Sequence, residues 1–184
     1  MMKKRLCVFL ALLLLAGCAK SAALSSAEQA LVGKWAYDHD PKTAVLVLKQ
    51  DGSAKYDGTK YDRFAFDGEL LELTAPDGTA QTIRCTQDED GLLIYRTTVY
   101  ERESGADGLP GVWHDSADNW TFEFTNTGGF MEDGYFPGTY TVDEESCSIR
   151  LHYAGGQLDD TVCYFTLDGD ILTVEYPWRM VPAE

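Results

Sequence analysis

Short runs of alternating apolar and polar residues, broken at close intervals by Asp-Gly and Gly-Gly pairs, restrict the fold of this chain more than any other feature. Phe64 and Phe66 alternate with Arg63 and Asp67, Ile83 and Cys85 with Thr82 and Arg84, and Phe122 and Phe124 with Thr121, Glu123 and Thr125. Cys147, Ile149, Leu151 and Tyr153 share one face of a longer run whose other face carries Ser146, Ser148, Arg150 and His152. Successive side chains of a strand point to opposite faces, so these runs predict strands with one buried and one wet face. Turn pairs separate them at Asp51-Gly52, Asp57-Gly58, Asp67-Gly68, Asp77-Gly78, Asp90-Gly91, Gly128-Gly129, Gly155-Gly156 and Asp168-Gly169. Asp-Gly accommodates the positive φ angles of tight hairpins. Connections this short cannot make parallel crossovers, so the expected fold is all-β and built of antiparallel meanders.

The pattern repeats at a shift of 78 residues. Gly33-Lys34-Trp35 returns as Gly111-Val112-Trp113, Leu71 and Leu73 as Ile149 and Leu151, Cys85 as Cys163, and Asp90-Gly91 as Asp168-Gly169. The first strand pair slips by two residues between these anchors, Val45–Leu48 matching Thr121–Phe124. Four anchors in the same order predict two tandem copies, 27–102 and 111–184, of about six or seven short strands each. Residues 103–110, rich in Gly, charge and Pro, read as a linker. One short helix is expected ahead of the first copy, capped by Ser25 or Ser26, with Glu28 and Gln29 placed for a capping box.

Residues 1–17 have the three parts of a secretory leader: a basic head with Lys3, Lys4 and Arg5, an apolar run Leu6–Leu15, and small residues at the cut. The run makes roughly 15 Å of helix, too short for a hydrocarbon core of about 30 Å. Leu15-Ala16-Gly17-Cys18 resembles the lipobox of bacterial lipoproteins. That resemblance implies cleavage before Cys18, loss of Cys7 with the leader, and a lipid on Cys18. Residues 18–26 then form the lipidated Cys and its tether. The expected location is the extracytoplasmic face of a cell membrane, at the cell surface or in the periplasm, held by that lipid.

A short helical lead-in, then Gly-x-Trp opening the first strand of a meander, resembles the lipocalin and lipocalin-like families. Gly33 and Trp35, and again Gly111 and Trp113, carry the match, which implies that each Trp packs across the closed end of a β-barrel. True lipocalins use one Gly-x-Trp over nearly the whole mature chain; this chain has two. Either each copy closes as a small barrel or sandwich, or both copies share one larger barrel. Side chains fill a small barrel, which would leave binding to loops or to a groove between copies. A shared barrel would offer a ligand cavity.

Without its leader the chain has 12 basic and 30 acidic residues, a net charge near −18. After residue 108 Arg150 and Arg179 are the only basic residues, against 14 Asp and Glu. Nucleic acid is excluded as a partner by this balance; a cationic protein or peptide would be drawn to the second copy. No catalytic motif occurs. His114-Asp115-Ser116 fails as a triad because neighbours on a strand face opposite ways. Asp88-Glu89-Asp90-Gly91 and Asp168-Gly169-Asp170 lack the spacing of a calcium loop and read as hairpin turns. No metal or cofactor is expected. Cys147 and Cys163 lie on consecutive strands around Gly155-Gly156, which suggests a cross-strand disulfide or close thiol contact with Cys85 free, or else three buried thiols. Trp35 and Trp113 are core by repeat equivalence. Trp120 and Trp178 have no counterparts and are the candidate ligand-binding residues. The leading functional expectation is a non-catalytic binding module for a small molecule, glycan or peptide. A protein-interaction or inhibitor module with a cationic partner is the alternative, and an envelope hydrolase the third reading.

Overall fold

The computed structural model describes residues 23–156 and 158–184. The leader 1–17, Cys18 with its expected lipid, and tether residues 19–22 lie outside the described residues. Helix α1 (Ser26–Leu31) is followed by β1 (Gly33–Tyr37), β2 (Ala44–Leu48), β3 (Ala54–Tyr56), β4 (Thr59–Tyr61), β5 (Arg63–Phe66), β6 (Leu70–Thr74), β7 (Ala80–Asp88) and β8 (Gly91–Gly105). The second half contributes β9 (Gly111–His114), β10 (Thr121–Phe124), β11 (Gly129–Glu132), β12 (Phe136–Asp143), β13 (Ser148–Tyr153), β14 (Thr161–Asp168) and β15 (Ile171–Pro182).

The fold is all-β, with every strand pair antiparallel. Strands β8 to β15 pair in sequence order, and β15 returns to β8, closing an eight-stranded barrel. The remaining strands wrap around the other half of the same ribbon: β1 to β4 continue from β15, and β7, β6 and β5 continue from β8. The two free ends of that order, β4 and β5, are separated in the chain by Asp62 alone.

Two long strands make this possible. The first part of β8 pairs with β7 from Gly91 to Ile94, and its last part pairs with β9 from Glu101 to Gly105. The first part of β15 pairs with β14 from Ile171 to Glu175, and its last part with β1 from Met180 to Pro182. Along their other edges the two strands pair with each other, from Leu92↔Met180 to Glu101↔Ile171. Each half of the chain therefore lends the end of its last strand to the other half. Gly91 lies where this ribbon starts: its φ is +135°, and a Cβ there would fall 2.2 Å from the Met180 carbonyl oxygen.

Neither the expected linker nor the single larger barrel matches this arrangement. Residues 103–105 are the end of β8. Residues 106–110 are strapped to Arg102, whose guanidinium donates to the carbonyls of Ala106 at 2.7 Å, Gly108 at 2.9 Å and Pro110 at 3.3 Å. There are two apolar cores. One gathers Trp35, Leu46, Phe64, Leu73, Ile94 and Met180; the other gathers Tyr100, Trp113, Phe122, Ile149, Leu151 and Leu172. Bulky inward side chains fill both interiors, as barrels of this size allow. Met180 belongs to the first core and Tyr100 to the second, because the crossing strands carry them there.

Local chemistry follows the residues. Ser25 caps α1: its Oγ accepts from Glu28 N at 3.1 Å, and Glu28 Oε2 accepts from Ser25 N at 2.6 Å. Trp35 Nε1 donates to the Leu31 carbonyl, and Trp113 Nε1 to the Leu109 carbonyl, both at 2.8 Å. The turns at Asp51, Asp67 and Asp77 work through the carboxylate, which accepts from the backbone N–H two residues on, each at 2.9 Å. Asp57-Gly58 has positive φ at both residues, +46° and +83°, as a two-residue hairpin turn requires.

Candidate functional site

β14 and β15 stay paired from Asp168↔Ile171 to Tyr164↔Glu175 and then part. Beyond that point β14 remains on β13, while β15 stays on β8 and then reaches β1. A groove of about 700 Å³ opens where they separate, at the junction of the two cores. Leu158–Val162 border it on one side and Tyr176–Arg179 on the other. Asp38 and His39, after β1, and Trp120, before β10, complete its mouth.

The two candidate tryptophans meet here. Trp120 and Trp178 have ring centroids 6.2 Å apart at an interplanar angle of 38°. Trp178 also lies 5.5 Å from Tyr37 and 6.0 Å from His39, and those two rings stack at 5.5 Å. The result is a continuous aromatic strip. Both indoles are partly buried, held from behind by the cores. Rings presented side by side offer flat apolar area at little entropic cost.

A carboxyl lies in the same groove. Glu132, the last residue of β11, is 6% exposed and lines it. Tyr153 Oη donates to Glu132 Oε2 at 2.5 Å and lies 3.0 Å from Tyr176 Oη. Burial raises the Glu132 carboxyl above the ordinary Glu range; the Tyr153 bond acts the other way, and neighbouring Asp133 adds to the rise. Burial, with Glu132 beside it, pushes the Tyr176 hydroxyl up to about 12. The Tyr153 hydroxyl is also driven up, first by burial and then by Glu132. Both phenols therefore stay protonated and serve as donors at neutral pH. The groove combines aromatic area with fixed polar atoms, the usual make-up of a ligand site.

Around it the ion pairs are satisfied. Arg179 Nη1 contacts both Asp88 oxygens, at 2.6 and 2.8 Å. His152 Nδ1 lies 2.6 Å from Asp160 Oδ2. Arg84 pairs with Glu69 and with Glu175, the latter at 3.0 Å.

Other residues singled out in the sequence go elsewhere. Cys147 and Cys163 are not joined: among the described residues Cys85, Cys147 and Cys163 are all free. The register of the hairpin places Ile149, not Cys147, opposite Cys163. Cys147 sits before β13 with φ +51°, which turns its side chain off the inward face into solvent. The reading of three buried thiols fails at the same residue. Burial pushes the Cys85 thiol up to about 12 and the Cys163 thiol higher still. His114 bonds Asn119 at 3.2 Å, while the buried Asp115 accepts from Ala117 N at 2.9 Å. Asp88 serves Arg179, and Asp170 serves Arg102 at 2.8 Å. Among the described residues no His, Cys, Asp and Glu gather into a metal-binding group.

Sequence reasoning missed Glu132. Its signal was present: Phe130 and Glu132 alternate with Gly129 and Met131, so a carboxyl falls on the apolar face of a strand. His39, Tyr153 and Tyr176 had no such signal, since each reads as an ordinary strand or turn residue. Compared with protein-family models, with curated proteins and with solved structures, the chain matches none.

Proposed function

We propose that this chain is a lipid-anchored, extracytoplasmic binding module whose ligand lies in the groove beside Trp120 and Trp178. The observation that carries the reading is the meeting of these two indoles, from distant parts of the chain, beside a nearly buried carboxyl. Both cores are filled, so the groove supplies what a hollow barrel would otherwise supply. The anchor rests on the leader and on Cys18. Among the described residues no helix is long and apolar enough to cross a membrane.

A duplication of one lipocalin-like unit underlies the architecture in this reading. The matched indole bonds of Trp35 and Trp113 support it. So do the turn bonds Phe64 N to Gly52 O at 2.9 Å and Tyr140 N to Gly128 O at 2.8 Å, which hold equivalent places in the two halves. The groove then arose at the seam, where residues unique to one half could diverge without unpacking a core. The site binds without turning over its ligand.

The test is a panel of small-molecule, glycan and peptide probes, read by intrinsic Trp emission. A probe that binds is expected to lose about tenfold in affinity in Trp178→Ala, the scale of one lost aromatic contact. Affinities unchanged in both Trp178→Ala and Trp120→Ala would move the ligand site elsewhere.

A further inference from the structure

Glu132 decides what kind of ligand the groove takes. Its Oε2 accepts from Tyr153, and its Oε1 accepts no hydrogen bond from the described residues. Among the described residues no unpartnered polar side-chain atom is sealed from solvent, so Oε1 opens into the groove. A ligand seated there shields that oxygen from solvent. A carboxylate that loses its water without gaining a counter-charge is strongly disfavoured. A hydroxyl group would return a hydrogen bond and leave the charge uncompensated; an ammonium group returns a hydrogen bond together with the counter-charge.

The surrounding charges agree. Asp38 and Asp159 line the mouth with Asp160, which His152 engages. Arg179, which lines the groove, is already paired with both oxygens of Asp88. Arg96 lies 5.5 Å from the Trp178 ring centroid, which shows that this indole takes a cation against it, but Arg96 does not line the groove. Indole faces attract cations through their quadrupole.

We propose that the groove binds a small organic cation: a primary ammonium seated on Glu132, carried by a flat apolar body that lies along Trp120 and Trp178. The proposal rests on the groove being the ligand site. The ammonium enters as a fourth partner to the Glu132–Tyr153–Tyr176 chain of hydrogen bonds, and no covalent step is involved.

Two probes of matched shape test it, 2-phenylethylamine and 2-phenylethanol. They are titrated into the full chain in a neutral detergent at low salt, and the indole N–H signals of Trp120 and Trp178 are followed by nitrogen-15 NMR. The amine should bind about tenfold more tightly than the alcohol, because it alone brings a counter-charge to the carboxylate. In Glu132→Gln, whose amide oxygen can still accept from Tyr153, that preference should vanish. Equal binding of both probes in the native chain, lost in Trp178→Ala, would overturn the cation and leave the groove standing. So would binding of chitotriose at the same indole signals with no response to the amine. If neither indole signal responds to either probe or to the glycan, the cation proposal falls together with the groove as the ligand site.

Discussion

Arg96 on β8 lies directly opposite Tyr176 on β15, at the middle of the ribbon that joins the two cores. The pairing is balanced about this point: Leu92 faces Met180 on one side, and Tyr100 faces Leu172 on the other. The two paired residues differ in chemistry. Arg96 sits against Trp178, whereas Tyr176 joins Tyr153 above Glu132. The groove's character comes from that difference.

The exchange of strand ends predicts one cooperative unit. Residues 23–105 expressed alone lack the Met180–Pro182 segment that β1 pairs with, and they leave Glu101–Gly105 without β9. Residues 106–184 suffer the reciprocal loss. The full chain is expected to unfold in a single transition in urea, and each half alone to show no cooperative monomeric transition. Mixing the halves should restore the full-chain transition. Two independent transitions from the separate halves would show that the ribbon is dispensable.

Glu132 makes stability depend on pH in a definite direction. Unfolded, its carboxyl titrates near the ordinary value of 4.5; folded, it titrates higher because it is buried. The folded state therefore binds the proton more tightly. Stability from this group is fullest below 4.5 and falls as pH rises through the folded value. Glu132→Gln removes the ionisation and keeps an acceptor for Tyr153. The variant is expected to melt at a higher temperature than the native chain at pH 7, with the gain disappearing near pH 4. A gain independent of pH would assign the effect to packing.

The cysteines should separate by accessibility. Cys147 is exposed, while Cys85 and Cys163 are 0% and 1% exposed. Alkylation of the native mature chain, read by mass spectrometry, is expected to modify Cys147 alone. Unfolding in guanidinium without reductant should release Cys85 and Cys163, and Cys18 should carry the mass of its lipid. A pair that needs reductant before it reacts would restore the bridge between Cys147 and Cys163.

Much of the fold was legible because it is local. Strand faces follow from alternation, so Phe64, Ile83, Phe122, Ile149 and Leu151 are buried as their spacing predicts. The capping role of Ser25 follows from the position of Glu28, three residues on. The candidate site was half legible. Trp120 and Trp178 stood out as tryptophans without counterparts in the repeat, but their contact did not, since 57 residues separate them in the sequence. The disulfide expectation failed on register: the turn after β13 includes Ala154–Gly156, and with it Ile149 rather than Cys147 faces Cys163.

The sequence by itself determined the strands, their turns and their buried faces, because period-two alternation and Asp-Gly chemistry act within a few residues. Tertiary structure alone decided how the halves join. A fifteen-residue β8 reads the same whether its end stays with β7 or crosses to β9. The choice depends on which edge is left unpaired, and edges exist only once sheets have formed. The crossing then set Trp178 beside Trp120 and opened the groove over Glu132.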